Sequence, residues 1–218
     1  MVCVLSILLP SLLRPLSSST IIEEAETTCE AGLAQMACFY FDFRDKAKQD
    51  VRGLLTSLLS QLSAKSDSCY KILSELYSRN SAGARQPLDD TLKQCLIDML
   101  KAPGQPTTYI VMDAVDECPN TSEVVSPRDQ VLKLVEDLMD LSLPNLRLCI
   151  TSRREADIIS VLEPLASHSV SLHDQDGQKE DISLYIKSVI HSDRRVRKWR
   201  VEDKELVIDT LIRKADGM

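Results

Sequence analysis

Glycine is scarce in this chain. There are six in 218 residues, and none precedes Gly32. A loop that wraps phosphate groups in backbone N–H donors needs glycines, a lysine and a Ser or Thr hydroxyl at fixed spacing. The segment before Gly32 cannot supply one. Metal-type spacing is lacking too. The seven cysteines (Cys3, Cys29, Cys38, Cys69, Cys95, Cys118, Cys149) form no CxxC pair and join no histidine at zinc-ligand spacing. Buried, reduced thiols are the expectation. His168, His173 and His191 read as surface or strand-end residues. Long apolar runs are also lacking. Val2 to Leu13 is apolar, but Pro10 interrupts it and it is too short to span a bilayer as a helix. It has no positive n-region, and Arg14 follows the run instead of preceding it, which argues against a signal peptide. A buried strand or a wrongly assigned start fits better. Finally, positive charge is in deficit: the formal net charge is −7. That argues against general electrostatic binding to nucleic acid. The one basic run, residues 194–200, holds a single tryptophan, Trp199, and reads as a solvated turn between helices.

What is present is globular. Hydrophobic residues make up 44% and charged residues 27%, in a length suited to one domain plus part of another. The most informative stretch is Tyr109-Ile110-Val111-Met112-Asp113-Ala114-Val115-Asp116-Glu117-Cys118. A short apolar run into acidic residues reads as a buried parallel strand whose carboxyl end opens on a polar site. Three carboxylates there need a reason, because unpaired buried charge is costly. Mg²⁺, which takes oxygen ligands and keeps waters, is one reason. An acidic turn after a strand in some other α/β fold is the other.

The remaining elements follow from periodicity. Residues 18–31 suit a helix with acidic residues in its first turn. Ala37 to Phe43 reads as a strand, with Phe39, Phe41 and Phe43 spaced to share one apolar face. Leucines at 54, 55, 58, 59 and 62 mark a helix over 50–62. Further helices are expected over 69–78 and 88–101, the last ended by Pro103, Gly104 and Pro106. Ser126 caps a helix over 127–141, with Pro127 at its first position. Leu146 to Thr151 is a strand, followed by a helix over 155–162 that stops before Pro164. Ser169 to Leu172 is a short strand, with a polar turn to Gly177 after it. Residues 180–191 and 201–215 are amphipathic helices. Strands separated by helices mean a parallel sheet with right-handed crossovers.

Three of these stretches carry a family resemblance. They are Phe39-Tyr40-Phe41-Asp42-Phe43 with Asp45-Lys46 and the leucine-rich helix, then Tyr109 to Cys118, then Leu146-Arg147-Leu148-Cys149-Ile150-Thr151-Ser152-Arg153. In this order and spacing they resemble the NACHT domains of fungal NOD-like receptor proteins, also grouped as nephrocystin-3-like N-terminal domains. The resemblance runs from about residue 18 to 218. It implies a three-layer α/β P-loop NTPase-like fold: a parallel sheet flanked by helices, incomplete here at its first strand, with the start of a C-terminal helical subdomain. On that basis residues 1–16 lie outside the family pattern, 17–176 form the core and 177–218 begin the helical part. The resemblance also implies a signal-transducing switch that binds ATP or GTP with Mg²⁺, in proteins that often carry repeats. Partners would be other domains of the same receptor class, including self-association, in the cytoplasm, with neither nucleic acid nor membrane involved.

Residue roles follow from the same resemblance. Asp113 matches the Walker B aspartate, which holds Mg²⁺ through water. Asp116 and Glu117 match the acidic pair that orients or deprotonates the attacking water. Arg153 matches the sensor 1 arginine, with Thr151 and Ser152 able to hydrogen-bond near a bound nucleotide. Arg154 stands where these domains usually have proline. The larger departure is at the phosphate loop: its Lys-Ser position falls at Arg14-Pro15. Proline offers neither hydroxyl nor N–H, and arginine lacks the compact ammonium group. Two readings stand, a fragment of an active protein or a degenerate paralogue. In both, this polypeptide is expected to bind nucleotide poorly, and Val2 to Leu9 is expected to substitute for the missing first strand.

Overall fold

The computed structural model describes residues 2–6, 27–29, 32–80, 83–121, 125–171, 176–192, 196 and 198–215. The helix expected over 18–31 lies largely outside the described residues; Thr27 to Cys29 are helical. The chain divides into two compact units, Met1–Val170 and Ser171–Met218.

The first unit is built on a sheet. Its strands are β1 (Val2–Ser6), β2 (Ala34–Tyr40), β3 (Thr107–Asp113), β4 (Leu146–Ser152) and β5 (His168–Ser171), in the spatial order β2-β3-β4-β1-β5. β2, β3 and β4 run parallel, with Cys38 beside Val111 and Val111 beside Cys149. Helices α1 (Val51–Ser63), α2 (Asp67–Arg79), α3 (Asp89–Lys101), α4 (Pro127–Asp140) and α5 (Ala156–Leu165) complete it. The five leucines read as a helical stripe all turn inward from α1 and are buried. They meet Ala37 and Phe39 of β2, Ile110 and Met112 of β3, and Leu148 and Ile150 of β4 in one core. Met36, Val111 and Cys149 are buried on the other face. Burial of a leucine contributes about 1.5–3 kcal/mol, so α1 is the helix most firmly committed to the sheet.

β1 lies inside the sheet, as expected of a substitute strand, between β4 and β5. Its direction is the surprise: it pairs with β4 antiparallel, Val2 opposite Ser152 and Ser6 opposite Leu148. The expectation of a sheet parallel throughout is thus corrected at this strand. Pairing direction leaves no mark on an apolar run, because both ladders bury the same residues.

β2 is the outer strand on the other side, and side chains from α1 and the residues just after it bond groups on its free edge. The Cys38 N–H donates to Gln61 Oε1 (2.9 Å) while Gln61 Nε2 donates to the Cys38 carbonyl (2.7 Å). Lys65 Nζ donates to the Met36 carbonyl (2.6 Å). At its amino end the sheet carries a neutral network. Gln35 Nε2 donates to Gln105 Oε1 (2.9 Å) and to Thr108 Oγ1 (2.8 Å), and Gln105 Nε2 donates to Ser66 Oγ (3.1 Å).

Several local expectations need revision. β2 ends at Tyr40, and a turn in which the Asp45 N–H bonds the Asp42 carbonyl redirects the chain. Phe39 and Phe41 stay on the core face, their rings edge-to-face at 4.9 Å, but Phe43 lies within the turn and is exposed under the Arg44 guanidinium. α5 continues through Pro164 to Leu165. A proline in the last turn forfeits one ladder bond without having to start a further one. Cys69, Cys95, Cys118 and Cys149 are buried, and no disulfide links the described cysteines.

The second unit holds α6 (Asp176–Ser192) and α7 (Val201–Ala215), packed on each other. α6 starts in the polar stretch read as a turn, and takes Gly177 into its first turn. Val196 and Ile208 are its buried residues among those described. Of the basic run, residues 194, 195 and 197 lie outside the described residues, and Lys198, Trp199 and Arg200 are exposed. No described helix is long and apolar enough to cross a membrane.

Candidate functional site: the acidic turn at the carboxyl end of the sheet

β3 delivers Asp113 to the end of the parallel strands, and the next residue breaks the strand. Ala114 takes a left-handed conformation (φ 57°, ψ 48°), and Val115 to Glu117 form a single 3-10 turn. A residue with a Cβ resists that conformation by about 1–2 kcal/mol, so something must hold it. Thr151, fully buried on β4, does so with one hydroxyl. The Ala114 N–H donates to Thr151 Oγ1 (3.0 Å), and the same hydroxyl donates to the Asp113 carboxylate. Val115 is buried beneath the turn.

The other two carboxylates face different ways. Asp116, its side chain only 9% exposed, accepts from the Arg153 N–H (2.8 Å) and pairs with the Arg153 guanidinium at 3.4 Å. The Arg153 side chain is 80% exposed. Glu117 turns toward β2 and accepts from the Phe43 N–H (3.2 Å). Ser152 donates to the carbonyl of Arg153 (2.9 Å). The structure therefore brings Asp113 to Thr151 and Asp116 to Arg153, and sends Glu117 and Ser152 elsewhere.

Arg128 was missed in the sequence. It sits in the first turn of α4, whose start is a capping box. The Asp129 N–H donates to Ser126 Oγ, the Ser126 N–H donates to the Asp129 carboxylate, and Pro127 occupies the first position as expected. The Arg128 side chain is 6% exposed. Its Nε donates to the Cys118 carbonyl (2.9 Å) and its Nη2 to the Asp116 carbonyl (2.6 Å). Its Nη1 reaches Glu155 and Asp157, the latter at 3.1 Å. Burial works against its charge, but hydrogen bonds and attraction from Glu155 and Asp157 outweigh that and raise its pKa further. One signal was available in the sequence. A cation in a helix's first turn opposes the helix dipole, and Arg128 directly after Ser126-Pro127 is such a misfit.

One thiol and one carboxyl group frame the turn. Burial pushes the Cys118 thiol up to about 12, against the pull of Arg128. Its Sγ donates to the Gln49 carbonyl (3.1 Å), which makes it a neutral packing group. Asp42, on the loop that meets Glu117, is held at about 2 by the Arg44 side chain and backbone N–H.

A magnesium nucleotide needs oxygen ligands for the metal and backbone N–H donors around the phosphates. Asp113 offers the first in part. Among the described residues no group of three or more His, Cys, Asp or Glu converges to hold a metal ion. Nor do the described residues include a glycine-rich turn at this end. Since β1 runs opposite to β4, its carboxyl end lies at the amino end of the parallel strands, away from Asp113. The described residues do not form a complete site for Mg²⁺ and a nucleoside triphosphate.

Three parallel strands flanked by helices, with an acid-bearing turn at the carboxyl end of β3, define an α/β protein of P-loop NTPase-like fold. The family model described as nephrocystin 3, N-terminal, matches residues 16–153, and the chain belongs to that family of NACHT-like nucleotide-binding modules. No curated protein and no solved structure matches the chain.

Proposed function

We propose that this chain is a NACHT-like switch module that works as an interaction and regulatory domain in signalling, and that in this polypeptide the nucleotide site is idle. The observation that carries the reading is the reversed β1. It fills the strand slot beside β4 in a direction that leads the chain away from the acidic turn. The acids keep their family pattern, and each is engaged by a protein group. The roles implied for Asp113 as a magnesium ligand through water, for Asp116 and Glu117 in activating water, and for Arg153, Thr151 and Ser152 at the phosphates belong to the ancestral site. The same reading places the protein in the cytoplasm, in self/non-self recognition of the kind served by fungal NOD-like receptors. Its partners are other domains of that receptor class and further copies of itself.

Calorimetric titration with Mg-ATP and with Mg-GTP tests this. The expected result is no heat of binding at millimolar nucleotide. Micromolar binding that disappears in Asp113→Ala would reverse the reading in favour of an active ATPase or GTPase.

A further inference from the structure

Arg128 touches neither Asp113 nor the carboxylate of Asp116, yet it holds the backbone on both sides of Glu117. Two of its nitrogens take the carbonyls of Asp116 and Cys118. A third takes Glu155 and Asp157, which belong to the segment leaving β4. The backbone N–H of Arg128 also donates to the Pro119 carbonyl (3.2 Å). That same β4 segment carries Arg153, whose N–H holds the Asp116 carboxylate. The contacts close a ring: acidic turn to Arg153, Arg153 along the chain to Glu155, Glu155 to Arg128, and Arg128 back to the turn. A guanidinium has a fixed fork of five donors that can meet several acceptors at once, which an ammonium group on a flexible stem cannot do with the same geometry.

We propose that Arg128 is the positioning residue of this site, locking the acidic turn 114–118 and the 153–157 segment into one body, so that a change at either is transmitted to the other. This deepens the switch reading above, since it names the part of the module that would carry a signal from the carboxyl end of β3 to the start of α5. The coupling is direct hydrogen bonding through one side chain, a physical link and not mere proximity. Arg128 is buried while its two acidic partners are partly exposed. The lock can therefore be opened from the acidic side without emptying the core.

Amide hydrogen exchange followed by NMR, without nucleotide or Mg²⁺, tests the lock. Its outcome is therefore independent of whether the chain binds nucleotide. The key variant is Glu155→Gln combined with Asp157→Asn. Neither residue bonds the 114–118 turn directly. Asp157 also accepts from Asn120 Nδ2 (2.9 Å) just past the turn, so Asn120→Ala is run beside the double variant and should leave Glu117 and Cys118 at wild-type rates. The expected result is exchange faster by about tenfold or more at Glu117 and Cys118, with Thr108 and Leu54 at wild-type rates. Arg128→Met should speed both segments together, and Arg128→Lys should restore protection only in part. Lys93→Met, which breaks the partly buried pair with Asp137 between α3 and α4, serves as the control and should leave the turn alone. Unchanged exchange at Glu117 and Cys118 in the double variant overturns the proposal, and so does an equal effect from Lys93→Met.

Discussion

The two ends of the parallel sheet solve the same problem with different chemistry. At the amino end, Gln35, Gln105, Thr108 and Ser66 satisfy one another without a formal charge. At the carboxyl end, Asp113, Asp116, Glu117, Arg128 and Arg153 do it with charges, and each carboxylate relies on a partner from a different element. A neutral buried network is indifferent to pH and changes little until a member is removed. A charged one couples whatever holds its members, because each group is costly to leave alone. The amino end is thus a fastening. The carboxyl end is an arrangement that can be disturbed from several sides, as the proposed switch requires.

The strongest way to break this contrast is Thr151→Val. It keeps the shape of the side chain but strips the hydroxyl that serves Asp113 and Ala114. Unfolding in urea should show a loss of about 2 kcal/mol, with Ala114 released from its left-handed conformation. A loss near zero would mean that the hydroxyl does not hold the turn. Gln35→Leu is the matching change at the amino end. It removes both hydrogen bonds that Gln35 donates yet fills the space, and should cost about 1 kcal/mol. The difference from wild type should be the same at pH 7 and pH 4; a pH-dependent difference would show that charge reaches that end as well.

The smallest effect is expected at Arg44→Ala. Asp42 is depressed to about 2, so its contribution is complete above the ordinary carboxylate range and is lost as pH falls from about 4 toward 2. The pair is open to solvent, so its effect on stability is slight. The visible result is an Asp42 pKa that rises part-way toward its usual value in an NMR titration, since the backbone N–H at position 44 remains. An unmoved pKa would show that the guanidinium has no hold on it.

The core of this architecture was legible because burial leaves a periodic trace. The α1 leucines, the β3 run into Asp113 and the Ser126-Pro127 start of α4 were each read from spacing alone. Other features left no such trace. The direction of β1 is set by its partner and not by its own residues. Phe43 continued the alternation of Phe39 and Phe41, but a turn intervened that depends on Asp42 and Asp45. Arg128 stood out only as a cation opposing the dipole of its own helix, and its burial is explained by four acceptors brought together from distant parts of the chain. Residue types forecast the carboxylates of the site; what each one would touch was decided by the fold.

Gln61 carries a consequence outside the molecule. An outer strand with free N–H and carbonyl groups is a template on which another polypeptide can add as the next strand. At Cys38 the amide of Gln61 already supplies one donor and one acceptor, as a neighbouring strand would. Lys65 does half as much at Met36. A side chain posing as a strand thus occupies, at Cys38, the donor and acceptor on which an added strand would pair, and removes that part of the edge as a template.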